Sequence, residues 1–275
     1  MNNIFIPENN VSAFNQNDMT DYLRNIEIEI RNQLFTQEEI EKIVAALFSE
    51  YLDKNERPFF LHHFIPQWVE SVKYLFRDKK YPKIIELGCG TGTSSILFSL
   101  LGASVIGVEL DRDCVDICLK RKKYYQSIAG NLDLTFVNAN ACNFPYKEYG
   151  PFDGIYSLFA FNMMQPTDVL LTRILKSLNK KGKLFITDGN KCSIYNRMIL
   201  SRRRNNIWSP KAIKRFLAKN NMVIEGIRTQ AAIPPYLINK VNSPLLWTNV
   251  ENVMRFINLH RFLGISYTLK ALRIN

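Results

Sequence analysis

Acidic side chains nearly vanish from one stretch of this 275-residue chain, histidines number three, and no apolar run is long enough to cross a bilayer. A helical span needs about 18 apolar residues in sequence, and the richest stretch, Ile96 to Val108, is broken by Ser99, Gly102 and Ser104. The histidines, His62, His63 and His260, confine imidazole chemistry to two places in the chain. Five cysteines, an odd number at this length, do not make a disulfide framework. Cys114 and Cys118 lie one helical turn apart without a second pair of ligands nearby, so no metal site is expected. The opening residues, Met1 to Glu8, lack a basic segment ahead of an apolar one and do not read as a secretion signal. The resulting expectation is a soluble protein of the reducing cytoplasm. Glycine (12) and proline (11) are too sparse for a low-complexity chain, and 47% hydrophobic residues suffice for a sizeable core. The length suits one large α/β domain, alone or with a small helical appendage.

Charge is unevenly placed. The formal net charge is +11, yet residues 1–172 hold 16 basic and 22 acidic side chains. Residues 173–219 hold 14 basic side chains against one acid, Asp188. A patch of that sign concentrates anionic partners, so the stretch from Arg173 through Arg202, Arg203 and Arg204 to Lys219 is read as anion-facing; solvated lysine-rich faces are the plainer alternative.

Residues 1–17 carry no periodicity and are expected as a draped arm. From Asp18, Leu23, Ile26, Ile30 and Leu34 fall at helical spacing. Thr36-Gln-Glu-Glu39 is a capping box that opens a second helix running to Tyr51. Pro66 is expected to open a third, with Trp68, Val69, Val72, Leu75 and Phe76 as its stripe. The pattern then changes. Short apolar runs at 84–87, 105–108, 134–137, 154–157 and 184–187 read as strands alternating with helices at 93–101, 114–125 and 169–178. Two further strands are expected at 223–227 and 265–269, with one helix between them from Leu245 to Leu263. Strands alternating with helices imply a parallel sheet covered on both faces.

Glu86-Leu-Gly-Cys-Gly-Thr-Gly92 stands where the first strand hands over to a helix. Gly88, Gly90 and Gly92 let the backbone turn sharply and approach a ligand closely. Glu109 ends the next strand, where a carboxylate can accept both hydroxyls of a ribose. Glycine loop, strand-end acid and βαβ context together predict nucleotide binding. The spacing G-x-G-x-G departs from the dinucleotide fingerprint, whose third glycine would fall on Thr93.

From Lys83 to Asp188 the chain resembles the class I S-adenosylmethionine-dependent methyltransferases. Ile84 to Thr93 looks like that family's first motif, Asn138 to Pro145 like the motif after its third strand, and Phe152 to Asn162 like its fourth. The resemblance implies a doubly wound, mostly parallel, seven-stranded Rossmann-like sheet with an antiparallel last strand. Residues 1–80 would form an N-terminal helical cap and 81–275 the methyltransferase domain, with acceptor-recognition insertions at about 189–215 and 231–263. It implies S-adenosylmethionine as cofactor and S-adenosylhomocysteine as product, held by Glu86, Gly88, Cys89, Gly90, Gly92, Glu109, Leu110, Asn140, Ala141 and Ser157. At Asn140 the family usually has an acid facing the adenine amino group, and an amide oxygen is the substitute here.

Methyl transfer needs alignment of donor and acceptor and, for some acceptors, removal of a proton. The resemblance brings His62 or His63 near the methyl group through a lid helix, and with Asn162 these are the catalytic candidates. Phe159, Tyr195, Arg202, Arg203 and Arg204 are the acceptor-binding candidates. No Asn/Asp-Pro-Pro-Tyr/Phe sequence follows the fourth strand, which weighs against amino-methylation of nucleic-acid bases, and no cysteines stand where cytosine C5 chemistry would need them. The leading acceptor is therefore an anionic small molecule or its carrier-bound form. RNA, tracked by the basic stretch, is one alternative. A lipid or quinone met at a membrane surface through Leu245 to Leu263 is another, and a non-catalytic partner subunit is a third.

Overall fold

The computed structural model describes residues 4–8, 10–44, 57–194, 196, 208–233, 235–241 and 243–274. Seven strands, β1 (Lys83–Leu87), β2 (Ser104–Glu109), β3 (Leu134–Asn138), β4 (Phe152–Leu158), β5 (Leu178–Gly189), β6 (Met222–Gln230) and β7 (Ser266–Arg273), form one sheet in the order β3-β2-β1-β4-β5-β7-β6. The first five are parallel; β7 runs antiparallel to both neighbours, β5 and β6. The final strand therefore enters the sheet between two earlier ones, and β6 takes the edge. Burial explains the order. Tyr267, Leu269 and Ala271 of β7 are fully buried, whereas β6 is half-buried over most of its length and exposes Val223, as suits an edge strand.

Helices α1 (Gln16–Arg31), α2 (Gln37–Ile43) and α3 (Arg57–Leu75) precede the sheet. The Thr36 capping box forms as expected: the Glu39 N–H donates to Thr36 Oγ1 at 3.3 Å, and the Thr36 N–H to Glu39 Oε2 at 2.8 Å. The far end of the expected second helix, Leu47 to Tyr51, lies outside the described residues. Pro66 does not open α3. It sits mid-helix, and Pro58 holds the tolerated first-turn position. The missing Pro66 N–H leaves the His62 carbonyl without its helical donor, but the turns on both sides bury Phe60, Ile65, Trp68 and Val72, and that packing outweighs the lost bond.

Helices α4 (Thr93–Leu100), α5 (Arg112–Ala129), α1 and α3 share a core with one face of the sheet. Short α6 (Tyr146–Tyr149), α7 (Thr167–Lys176) and α8 (Pro210–Lys219) cover the other. A smaller cluster of Phe59, Ala231, Ile233 and Ile238 lies beneath α9 (Pro235–Lys240) and α10 (Pro244–Phe256). The single helix expected from Leu245 to Leu263 is two: α10 ends at Phe256, and α11 spans only His260–Leu263. Asn258 between them sits at φ +59°, a left-handed conformation asparagine tolerates and a helix does not.

Candidate functional site

Strand order reverses at β1, because β2 and β3 extend to one side and β4 to the other. In open parallel sheets this switch point, at the carboxyl ends of the strands, is where a crevice forms. Here it encloses about 230 Å³, between the glycine loop after β1 and the turn after β4. Glu86, Gly88, Cys89, Gly90, Glu109 and Phe159, all expected site residues, line it.

The three glycines of the loop do different work. All have positive φ. At Gly88 an added Cβ would collide with that of Ala160 and lie 2.9 Å from Met164 Cε, so this glycine admits the turn after β4. At Gly92 it would lie 2.9 Å from Cys118 Sγ and from Phe136 Cζ, inside the core. At Gly90 it would meet nothing within 4 Å, so here the bare backbone faces open space. Alanine at Gly90 should therefore cost only the left-handed backbone strain, about 1–2 kcal/mol. A larger loss of ligand affinity, read by titration calorimetry, would show that the ligand occupies that space.

Glu109 organises the loop. Its Oε2 accepts the Gly90 N–H at 2.9 Å, and its Oε1 accepts the N–H groups of Leu110 at 2.8 Å and Asp111 at 3.0 Å. The carboxylate is thus pinned by backbone donors while lining the crevice. Glu86 is buried, accepts from Ser95 Oγ at 2.5 Å, and is pushed up to about 8 by burial. The folded form keeps this proton up to about pH 8, whereas the unfolded chain loses it near 4.5. Stability should accordingly fall as pH rises through that window. Glu86→Gln should flatten the slope in urea melts at several pH values.

Other expected residues lie elsewhere. Ser157 is buried in β4, its hydroxyl donating to the Leu87 carbonyl at 3.0 Å, and it does not line the crevice. Leu110 is exposed just past β2. Asn140, past β3, uses its side-chain oxygen locally to accept the Cys142 N–H at 2.9 Å, and the Ala141 carbonyl accepts the Tyr146 hydroxyl. Asn162 clamps the turn after β4: its N–H donates to Asp188 and its side chain to the Gly189 carbonyl at 3.0 Å. With its amide spent on the main chain, Asn162 positions the turn instead of facing the crevice.

The histidines turn away as well. His63 is buried against Phe59, with ring centroids 4.6 Å apart, and burial lowers its pKa to about 3. Half-buried His62 is lowered by burial too, with Glu251 and Arg255 of α10 as its charged neighbours. Both thus face the α10 side of α3, whereas Trp68 is the described α3 residue that lines the crevice. Tyr195, Arg202, Arg203 and Arg204 lie outside the described residues.

The described lysines of the basic stretch from 180 to 191 follow β5. Lys180 and Lys181 stand at the entry of β5, and Lys183 is buried and paired with Asp78 at 2.9 Å. Lys191 follows the far end of the strand, two residues past Gly189.

Sequence reasoning did not single out Trp68 as a crevice residue. Trp68 of α3 lines the crevice and donates to Ser94 Oγ of α4 at 2.9 Å, tying α3 to the helix that follows the loop. Its place in the α3 stripe was visible, but not its partner. Phe159 sits at φ +53°, strained for an aromatic residue, with its ring 5.3 Å from that of Phe64.

The fold and this crevice define a Rossmann-like nucleotide-site protein of the methyltransferase type, marked by the antiparallel β7. Residues 60–225 match the model of the methyltransferase domain family, and the chain belongs to that family. It is 27% identical over 121 residues to a ribosomal protein L11 methyltransferase of Agathobacter rectalis, a match covering 44% of this chain and 37% of that protein. It is 25% identical over 165 residues to a ubiquinone biosynthesis O-methyltransferase of Pelagibacter ubique, covering 56% and 65%. The chain thus spans less than two thirds of either relative. The crystal structure of geranyl diphosphate C-methyltransferase from Streptomyces coelicolor A3(2), in complex with Mg2+, geranyl diphosphate and S-adenosylhomocysteine, superposes with a TM-score of 0.59 at 19% identity, covering 80% of this chain and 85% of that one. At that identity the likeness is one of fold.

Proposed function

We propose that the chain is an S-adenosylmethionine-dependent methyltransferase acting on a small-molecule or carrier-tethered acceptor. The observation that carries the reading is the pairing of Gly90, open toward the crevice, with a Glu109 carboxylate fixed by three backbone N–H groups. Glu109 would accept the ribose hydroxyls, and Glu86, buried beside the crevice, would lose its proton to accommodate the ligand's ammonium group. When bound, the cofactor supplies a methyl group already activated on a sulfonium. The chain's own task is to align the acceptor and exclude water. Phe64 and Phe159 would present an apolar wall to it, with Met163 at the rim. Lys191 and, further along the sequence, Arg202, Arg203 and Arg204 are the residues we assign to an anionic group on the acceptor.

No described histidine lines the crevice, so the acceptor is one whose reacting atom needs no imidazole base. His62→Gln should therefore keep turnover within about threefold, whereas losing a general base costs about 10²–10⁴-fold. The acceptor class is tested by incubating the protein with methyl-labelled S-adenosylmethionine and separated small-molecule, protein and RNA fractions. Label is expected in small molecules or on a carrier; label in RNA alone would overturn this reading.

A further inference from the structure

A larger cavity lies away from the crevice. It encloses about 580 Å³ and shares no lining residue with it. Gly150 and Pro151, which lead into β4, and Ser177, which leads into β5, border it. It therefore opens at the amino ends of these strands, whereas the crevice is at the carboxyl ends. Small-molecule sites have volumes of about 300–1,000 Å³ and an apolar lining set with a few polar groups. This cavity has both. Phe144 and Tyr146, buried with ring centroids 5.0 Å apart, give it an aromatic floor, and Pro145 and Pro151 are exposed at its walls.

Its charges indicate the ligand. Lys147, Arg173 and Lys176 line the cavity with a single carboxylate, Glu148. All four are exposed, and none is ion-paired among the described residues. A basic residue in the last turn of a helix ordinarily serves the helix dipole, and α7 ends at Lys176. In α7 other groups satisfy that end. The Ser177 N–H and hydroxyl donate to the Ile174 carbonyl at 3.1 and 2.8 Å, and Arg273 Nη1 donates to the Leu175 carbonyl at 2.9 Å. Lys176 is left for the cavity. Arg173 Nη1 donates to the Cys142 carbonyl, which anchors the guanidinium at the cavity wall and leaves Nε and Nη2 without an acceptor among the described residues. Three cations against one carboxylate oppose the charge of about −1.5 to −2 that a phosphate monoester carries at pH 7.

We propose that this cavity binds a small organic phosphate, independently of which acceptor the crevice takes. Lys147, Arg173 and Lys176 hold the phosphate, and the apolar body of the ligand lies against the prolines and the aromatic floor. The test is titration calorimetry of the full chain with phenyl phosphate, with inorganic phosphate, and with phenyl phosphate in the presence of saturating S-adenosylhomocysteine. One phenyl phosphate is expected per chain, bound about tenfold tighter than inorganic phosphate because the ring adds apolar contact. S-adenosylhomocysteine should not compete. The double variant Lys147→Glu, Lys176→Glu should weaken phenyl phosphate about tenfold with its melting temperature unchanged, since both side chains are exposed. Lys211→Glu, Lys214→Glu on α8, outside the cavity, alters the net charge equally and should leave the affinity within about twofold. Glu148→Gln should strengthen binding about threefold. Four results would each overturn the proposal: no saturable heat with phenyl phosphate, equal losses from the two double variants, equal affinity for inorganic phosphate, or displacement by S-adenosylhomocysteine.

Discussion

Glu29→Leu and Arg121→Met, made singly, should each destabilise the protein by about 3–5 kcal/mol, lowering Tm by about 10 °C. The two side chains form an ion pair with no exposure at either end: Arg121 Nε donates to Glu29 Oε2 at 2.7 Å and Nη2 to Oε1 at 3.1 Å. Tyr125 adds a 2.7 Å bond to Glu29, and Arg121 Nη1 donates to the Thr91 carbonyl at 2.7 Å and to Thr93 Oγ1 at 2.9 Å. The Tyr22 hydroxyl donates to the Thr93 carbonyl at 2.8 Å. Helices α1 and α5 are thereby fastened to the glycine loop. Removing one charge strands the other without water, and that desolvation is the main cost. The double variant Glu29→Leu, Arg121→Met should accordingly lose much less than the sum of the singles, which a calorimetric double-mutant cycle measures. Additive losses would mean that each residue acts through packing alone. The single variants should also bind ligand more weakly, because the carbonyl of Thr91 and the hydroxyl of Thr93 would lose their donor.

Gly88→Val should weaken cofactor binding on the order of 100-fold. A side chain at φ +69° strains the backbone by about 1–2 kcal/mol, and its Cβ must displace Ala160, which overpacks the turn by about 1–3 kcal/mol more. The displaced turn carries Phe159 and Met163, so the crevice narrows from the side opposite the loop. The contrast with Gly90→Ala is informative, since that methyl meets no protein atom. An affinity left unchanged by Gly88→Val, read by equilibrium dialysis against S-adenosylhomocysteine, would mean that Ala160 and Met164 yield freely.

Local signals carried most of the fold. Alternating short apolar runs and helical stripes marked all seven strands, and Thr36 to Glu39 marked a helix start by chemistry confined to four residues. The glycine loop and Glu109 were legible because each is defined by its place at a strand end. What escaped depends on distance in the chain. Glu29 and Arg121 are 92 residues apart, and neither announces a partner. The insertion of β7 between β5 and β6 follows from which strand best bears a wet edge, a property of the assembled sheet. His62 and His63 lie on the part of α3 that precedes its expected start at Pro66, and the rotation of α3 about its axis, set by the burial of Trp68 and Phe60, turns them to α10.

A thermal melt with S-adenosylhomocysteine, repeated with Glu109→Ala and with NAD, tests the central claim most directly. Ligand at about 100 times its dissociation constant adds about 2.7 kcal/mol to the native state, a rise of about 5–10 °C for a chain of this size. The account predicts that rise with S-adenosylhomocysteine, its loss in the Glu109→Ala variant, and no rise with NAD. A rise with NAD and none with S-adenosylhomocysteine would contradict it.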